Sequence, residues 1–140
     1  MRHMKRPMAL GLALVAVIAC GLSLRIFGYS LHLPFVVVKY GGSALWAAMV
    51  YVLIALLFAD RRPVHIAAVA IVVAVGVEFL RLFHTPWLDE FRLTLAGALL
   101  LGRIFSLWNI AAYIVGVATA FALDMVFGTR DRSASVRASD

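Results

Sequence analysis

Glu78, Arg81, His84, Asp89, Glu90, Arg92 and Arg103 interrupt an otherwise apolar stretch of the chain, whose long apolar runs elsewhere are almost free of charge. Ionisable groups at the edge of a bilayer-length segment are costly to keep, which makes this cluster the first place to look for function. Glu78 and Arg81 are three residues apart and share a helix face. Such a pair acts either as an ion pair tying helices together, with Arg25 or Arg92 as further partners, or as a proton carrier or ligand contact. Asn109 and Tyr113 stand at i and i+4, so both can face one polar pocket. Arg25, Lys39, Arg81, Arg92 and Arg103 would place a cationic rim around Glu78 and Asn109, chemistry suited to a phosphate or carboxylate group.

Other chemistries find less support. His84, Asp89 and Glu90 match no ligand spacing, His3 is remote and His65 falls on the opposite face, so no metal or cofactor is expected. Ser43, Ser106 and Cys20 lack the context of an activated nucleophile, and no catalytic residue is assigned. Cys20 is the only cysteine, which excludes an intramolecular disulfide. The net charge of +6 is spread in twos and threes beside apolar segments, a pattern of topology signals and headgroup contacts that argues against nucleic acid.

The elements that must position these residues follow from composition. Hydrophobic residues are 64% of the chain and charged residues 14%, more apolar surface than a soluble fold could cover. Four segments reach or approach the roughly 20 residues needed to span a bilayer: Met8 to Ile26, Ser43 to Ala59, Val64 to Phe83 and Asn109 to Phe127. Each must be a helix, because a lipid-exposed segment satisfies its own backbone only that way, and continuous apolar runs exclude a β-barrel. The fold class expected is therefore all-α: a polytopic membrane bundle of four transmembrane helices, with one domain over residues 1–128 and a disordered cytoplasmic tail over 129–140.

The first apolar run follows a basic start and could be read as a signal peptide, with Val17-Ile18-Ala19-Cys20 loosely like a lipoprotein cleavage box. It continues past Cys20 and is expected to be an uncleaved first helix. Leu93 to Leu101 is too short to span and reads as an interfacial or re-entrant half-helix. Gly41-Gly42 is expected to break the chain ahead of the second helix. Pro86-Trp87-Leu88-Asp89 reads as a turn and interface anchor, with Thr85 or Asp89 capping a short helix into Arg92. Gly116 suits close helix contact, and Asp124 is expected to pair with Arg130. Arg2, Lys5, Arg6, Arg61, Arg62, Arg130, Arg132 and Arg137 fall on one side of a four-crossing chain, which places both termini in the cytoplasm of a cell with an inner membrane.

At Lys39 to Ala47 (KYGGSALWA), Glu78 to Arg92 (EFLRLFHTPWLDEFR) and Gly97 to Gly116 (GALLLGRIFSLWNIAAYIVG) the chain resembles a bacterial membrane family, domain of unknown function 2809. Pro86-Trp87-Leu88-Asp89 with Arg92 is the most specific part of the likeness. Ser43 stands where that pattern has Asp, Arg81 where it has Gln, and Asn109 where it has Asp, so any role resting on an acidic pair is weakened here. The resemblance implies an integral membrane protein without an assigned activity. A looser likeness to VanZ-like membrane proteins suggests a cell-envelope context.

The function expected is non-enzymatic: binding of an anionic lipid headgroup, an envelope precursor or a partner subunit at an outer-face pocket built from Glu78, Arg81, Asp89, Arg92, Arg103, Asn109, Tyr113, Lys39 and Arg25. The partners expected are membrane lipid and either a second copy or another membrane protein. The alternatives are a small transporter or transporter subunit, and a membrane enzyme acting on a lipid-linked substrate with Glu78 as general base and Arg92 on phosphate.

Overall fold

Prolines set three of the helix starts in the computed structural model. Pro34 is the N-cap of the second helix, and Pro63 and Pro86 occupy the first turn of the third and fourth, where a missing N–H removes no helical bond. The structure describes residues 5–137, with side chains described from Arg6 to Gly128. In chain order the elements are α1 (Lys5–Phe27), α2 (Phe35–Leu57), α3 (Pro63–Leu80), α4 (Pro86–Leu93), α5 (Leu95–Leu100) and α6 (Leu107–Arg137). The described residues contain no strand. The helices α1, α2, α3 and α6 are long and apolar enough to cross a membrane, which makes the chain a multi-pass membrane protein.

Alternating crossings run α2 and α6 parallel to each other and antiparallel to α1 and α3. At backbone level α2 and α6 form the central pair, α3 packs on both, and α1 packs on α2 alone. Small residues line these contacts: Ala47, Ala55, Ala70 and Ala74 are fully buried, with Tyr51, Ile66, Tyr113 and Val117 filling the gaps between them. Lipid tails give helices no hydrophobic reason to associate, so close backbone approach through small side chains supplies the attraction. Gly116 is the tightest instance, since a Cβ there would overlap the carbonyl oxygen of Ala44 on α2. Outward, α1 to α3 and α6 present Leu, Val, Ile and Phe side chains to the surroundings, as a lipid-facing surface requires.

Several boundaries differ from the sequence-based expectation. The helix α2 starts at Phe35 and runs unbroken through Gly41-Gly42. Its hydrogen-bond ladder inside a membrane has no competitor, and Gly41 is used for packing: a Cβ there would press on Leu24 of α1 at 3.1 Å. The helix α3 stops at Leu80, with Arg81 as its C-cap, so Glu78 lies in its last turn. Leu93 to Leu101 is not a crossing segment. Thr94 ends α4 and starts α5, its Oγ1 donating to the Phe91 carbonyl at 2.6 Å and accepting from the Gly97 N–H at 3.1 Å. The six residues of α5 span roughly 9 Å, about a third of a hydrocarbon core. The helix α6 carries on to Arg137, into the segment whose composition reads as a polar tail; residues 138–140 lie outside the described residues.

Candidate functional site

Glu78 is the most enclosed charged residue of the described chain, with no accessible surface. An isolated carboxylate so placed would be prohibitively costly, and its four donors explain how it is kept. Its Oε1 accepts from the Ser106 backbone N–H at 2.6 Å and from Asn109 Nδ2 at 3.2 Å. Its Oε2 accepts from the Tyr113 hydroxyl at 2.7 Å and pairs with Arg81 Nη1 at 2.8 Å. The ion pair is the i, i+3 neighbour of the same helix turn. The Asn109–Tyr113 spacing of one turn puts both side chains of α6 on the carboxylate together.

Each partner is held by something else. Arg81 donates Nε to the Leu101 carbonyl at 2.6 Å, Nη1 to the Ile104 carbonyl at 3.2 Å and Nη2 to the Tyr113 oxygen at 3.0 Å. Residues 101–106, between α5 and α6, are therefore drawn over the end of α3 from both sides, by Arg81 on their carbonyls and by Glu78 on the Ser106 N–H. Gly102 makes the approach possible. Its φ is +67°, and a Cβ there would come within 2.7 Å of the Arg81 guanidinium; both backbone and space call for glycine. Asn109 turns its other atom outward, Oδ1 accepting from Ser43 Oγ of α2 at 3.3 Å, while the Trp46 ring lies against Tyr113 with centroids 5.4 Å apart. Ser43, Arg81 and Asn109 thus meet in one network.

The remaining predicted residues are not drawn into it. Arg92 is buried under α4, donating Nη1 to the Phe83 carbonyl at 2.8 Å and Nη2 to the Leu80 carbonyl at 2.6 Å. It thereby caps the Phe83 carbonyl and adds a second donor to that of Leu80, which also accepts from the Phe83 N–H at 3.1 Å. Asp89 accepts from the same Arg92 Nη1 at 3.0 Å and lies 3.2 Å from His84 Nδ1. Neither Arg25 nor Arg92 reaches Glu78, so the ion pair is closed by Tyr113 and backbone groups instead. Lys39 stands one turn before Ser43 on α2, its ammonium 5.3 Å from the rings of Phe35 and Tyr40. Arg25 and Arg103 are exposed, and neither these two nor Lys39 has a carboxylate partner among the described residues. No group of three metal-ligating side chains occurs among the described residues.

A second polar group lies at the opposite end of the bundle. Asp124 of α6 accepts from the Tyr51 hydroxyl of α2 at 2.8 Å and from Arg6 Nη2 of α1 at 3.3 Å. Arg6 also donates Nη1 to the Ala59 carbonyl at 2.7 Å. Asp124 is thus served by α1 and α2; the side chain of Arg130, its expected partner, lies outside the described residues. Tyr51 was not singled out from the sequence, because nothing in an apolar helix marks which tyrosine will meet an acid on another helix. Ser106 contributes a backbone group, which no residue-type reading could single out.

With this geometry in view, the family assignment can be made. The family model described as protein of unknown function (DUF2809) matches residues 32–117, more than half of the chain and all of the Glu78 network, and the chain belongs to that family. The looser VanZ-like likeness has no such match behind it. No solved structure matches the chain.

Proposed function

We propose, for this member of the family, a non-enzymatic role: a multi-pass protein of a bacterial inner membrane, both termini cytoplasmic, whose outer face holds an anionic group. The ligand class is an anionic lipid headgroup or envelope precursor, with the acidic surface of a partner subunit presenting the same chemistry. Orientation rests on the basic residues flanking the start of α1, the α2–α3 turn and the end of α6. The Glu78 end is then outermost.

One observation carries the reading. Of the cations at that end, Arg81 and Arg92 are used up internally, whereas Lys39, Arg103 and Arg25 form no ion pair among the described residues, the exposed Glu90 of α4 included. Unpaired cations beside a bilayer recruit anionic headgroups at about fivefold per charge. Glu78 has both oxygens filled by protein donors and no exposed surface, which supports a structural part for it over that of a general base. The ligand-facing set is accordingly Lys39, Arg103 and Arg25, above a closed network.

All three tryptophans (Trp46, Trp87 and Trp108) sit at this end, the latter two exposed. Their quenching by brominated phosphatidylglycerol in phosphatidylcholine vesicles therefore reports the outer site. Quenching should exceed that by brominated phosphatidylcholine, and the excess should vanish in Lys39→Ala/Arg103→Ala. An unchanged excess in that variant would sink the proposal.

A further inference from the structure

At the other end of the bundle, a cleft of about 360 Å³ opens where α2 turns into α3, lined by Ile54, Phe58, Arg61, His65, Ile66 and Val69. Among the described residues its charge is unmet. Arg61 and His65 make no side-chain hydrogen bond or ion pair among the described residues. Of the described acids nearby, Asp124 is already occupied by Tyr51 and Arg6, and Asp60, exposed in the turn, does not line the cleft. The polar mouth lies in the turn between two spanning helices, while Ile54, Ile66 and Val69 continue inward along the helix walls. Val69 is six residues past the start of α3, roughly 9 Å into the apolar layer.

We propose that this cleft binds one anionic phospholipid, its phosphate on Arg61 and His65 and the first part of an acyl chain along Phe58, Ile54 and Val69. A volume near the lower bound of ligand sites accepts a headgroup and adjoining methylenes, and leaves the rest of the lipid in the bilayer. Cation above and apolar wall below is the order in which a phospholipid presents its own parts. A soluble anion would use only the mouth, and a second copy of this chain would have to bring a carboxylate to it. The site is independent of the outer-face cations.

Photoactivatable phosphatidylglycerol and phosphatidylcholine, carrying the reactive group in the acyl chain, can be compared on the full chain in phosphatidylcholine bilayers, with adducts mapped by peptide mass spectrometry. Phosphatidylglycerol should label residues 54–69 at least about fivefold more than phosphatidylcholine. The preference should disappear in Arg61→Gln/His65→Gln and persist in Arg62→Gln, an exposed arginine outside the cleft. All three sites are on the surface, so folding is not at stake. The proposal is overturned by equal labelling with both lipids, by equal loss in the Arg61/His65 and Arg62 variants (diffuse attraction to a basic turn), or by displacement of the label with excess inorganic phosphate, which would mark a soluble-anion site.

Discussion

The two ends of the bundle use the same three groups to different effect. Glu78 takes a tyrosine hydroxyl and an arginine, from Tyr113 and Arg81; Asp124 takes the same, from Tyr51 and Arg6. Around Glu78 the set is closed. The carboxylate side chain is 0% exposed and its arginine 12%, against 10% and 37% at Asp124. Backbone groups of residues 101–106 complete the Glu78 shell, whereas Arg6 reaches Asp124 from an outlying helix at 3.3 Å. One acid, one phenol and one guanidinium thus make a sealed joint at one end and, with the guanidinium open, a looser clasp at the other. Burial, not residue type, decides which group is expensive to disturb.

The largest effect should come from Glu78→Ala. Removing the carboxylate strands Arg81 in a closed site, a loss of about 3–5 kcal/mol by the usual behaviour of broken buried pairs. Titrated unfolding in mixed detergent micelles would measure it; a loss under about 1 kcal/mol would mean that the joint is open and the contrast unfounded. Next stands Gly116→Ala, which forces α2 and α6 apart and should cost about 1–3 kcal/mol. Because α6 of that pair supplies Asn109 and Tyr113 to Glu78 at one end and Asp124 to Tyr51 at the other, cross-linking at each end should weaken together; if only one end responds, the ends are mechanically separate.

The matched pair Tyr113→Phe and Tyr51→Phe sharpens the comparison. The first leaves Arg81 and Glu78 each short of a partner in a closed site, about 1–3 kcal/mol; the second takes one bond from a carboxylate that keeps Arg6 and is 10% exposed, about 1 kcal/mol, although Tyr51 is as buried as Tyr113. Equal losses would erase the distinction between the sealed and the looser end. The smallest effect belongs to Arg6→Ala, at most about 1 kcal/mol and reduced further by added salt. Loss that is insensitive to salt would place Arg6 in a drier setting than its exposure indicates.

How much of this was readable beforehand follows from what sequence encodes directly. The spans were legible because apolar length is a local property, and the Glu78–Arg81 and Asn109–Tyr113 pairs because helix spacing is. That these two pairs close on each other depends on α3 packing against α6, and that Ser43 joins them depends on the α2–α6 distance set by Gly116; no single segment carries either. Arg92 was read as ligand-facing because an arginine after a turn can point either way; its capture by the Leu80 and Phe83 carbonyls is fixed by where α3 stops. Gly41-Gly42 misled for a related reason. Glycine weakens helices in water, where the backbone has a competing partner, and that competitor is absent inside a bilayer.

Among the described residues, every side-chain-to-side-chain hydrogen bond that joins one spanning helix to another includes a residue of α6: Asn109, Tyr113 or Asp124. This helix also follows α1, α2 and α3 in chain order, so it leaves the ribosome after them. While α1, α2 and α3 wait in the membrane, Glu78, Tyr51 and Arg6 have yet to meet the partners they end with. Biogenesis of the bundle is thereby tied to the synthesis of α6. A chain that stalls before residue 107 would expose an unsatisfied carboxylate at one end and an unsatisfied phenol at the other, the sort of mark by which membrane quality control distinguishes a fragment from a finished protein.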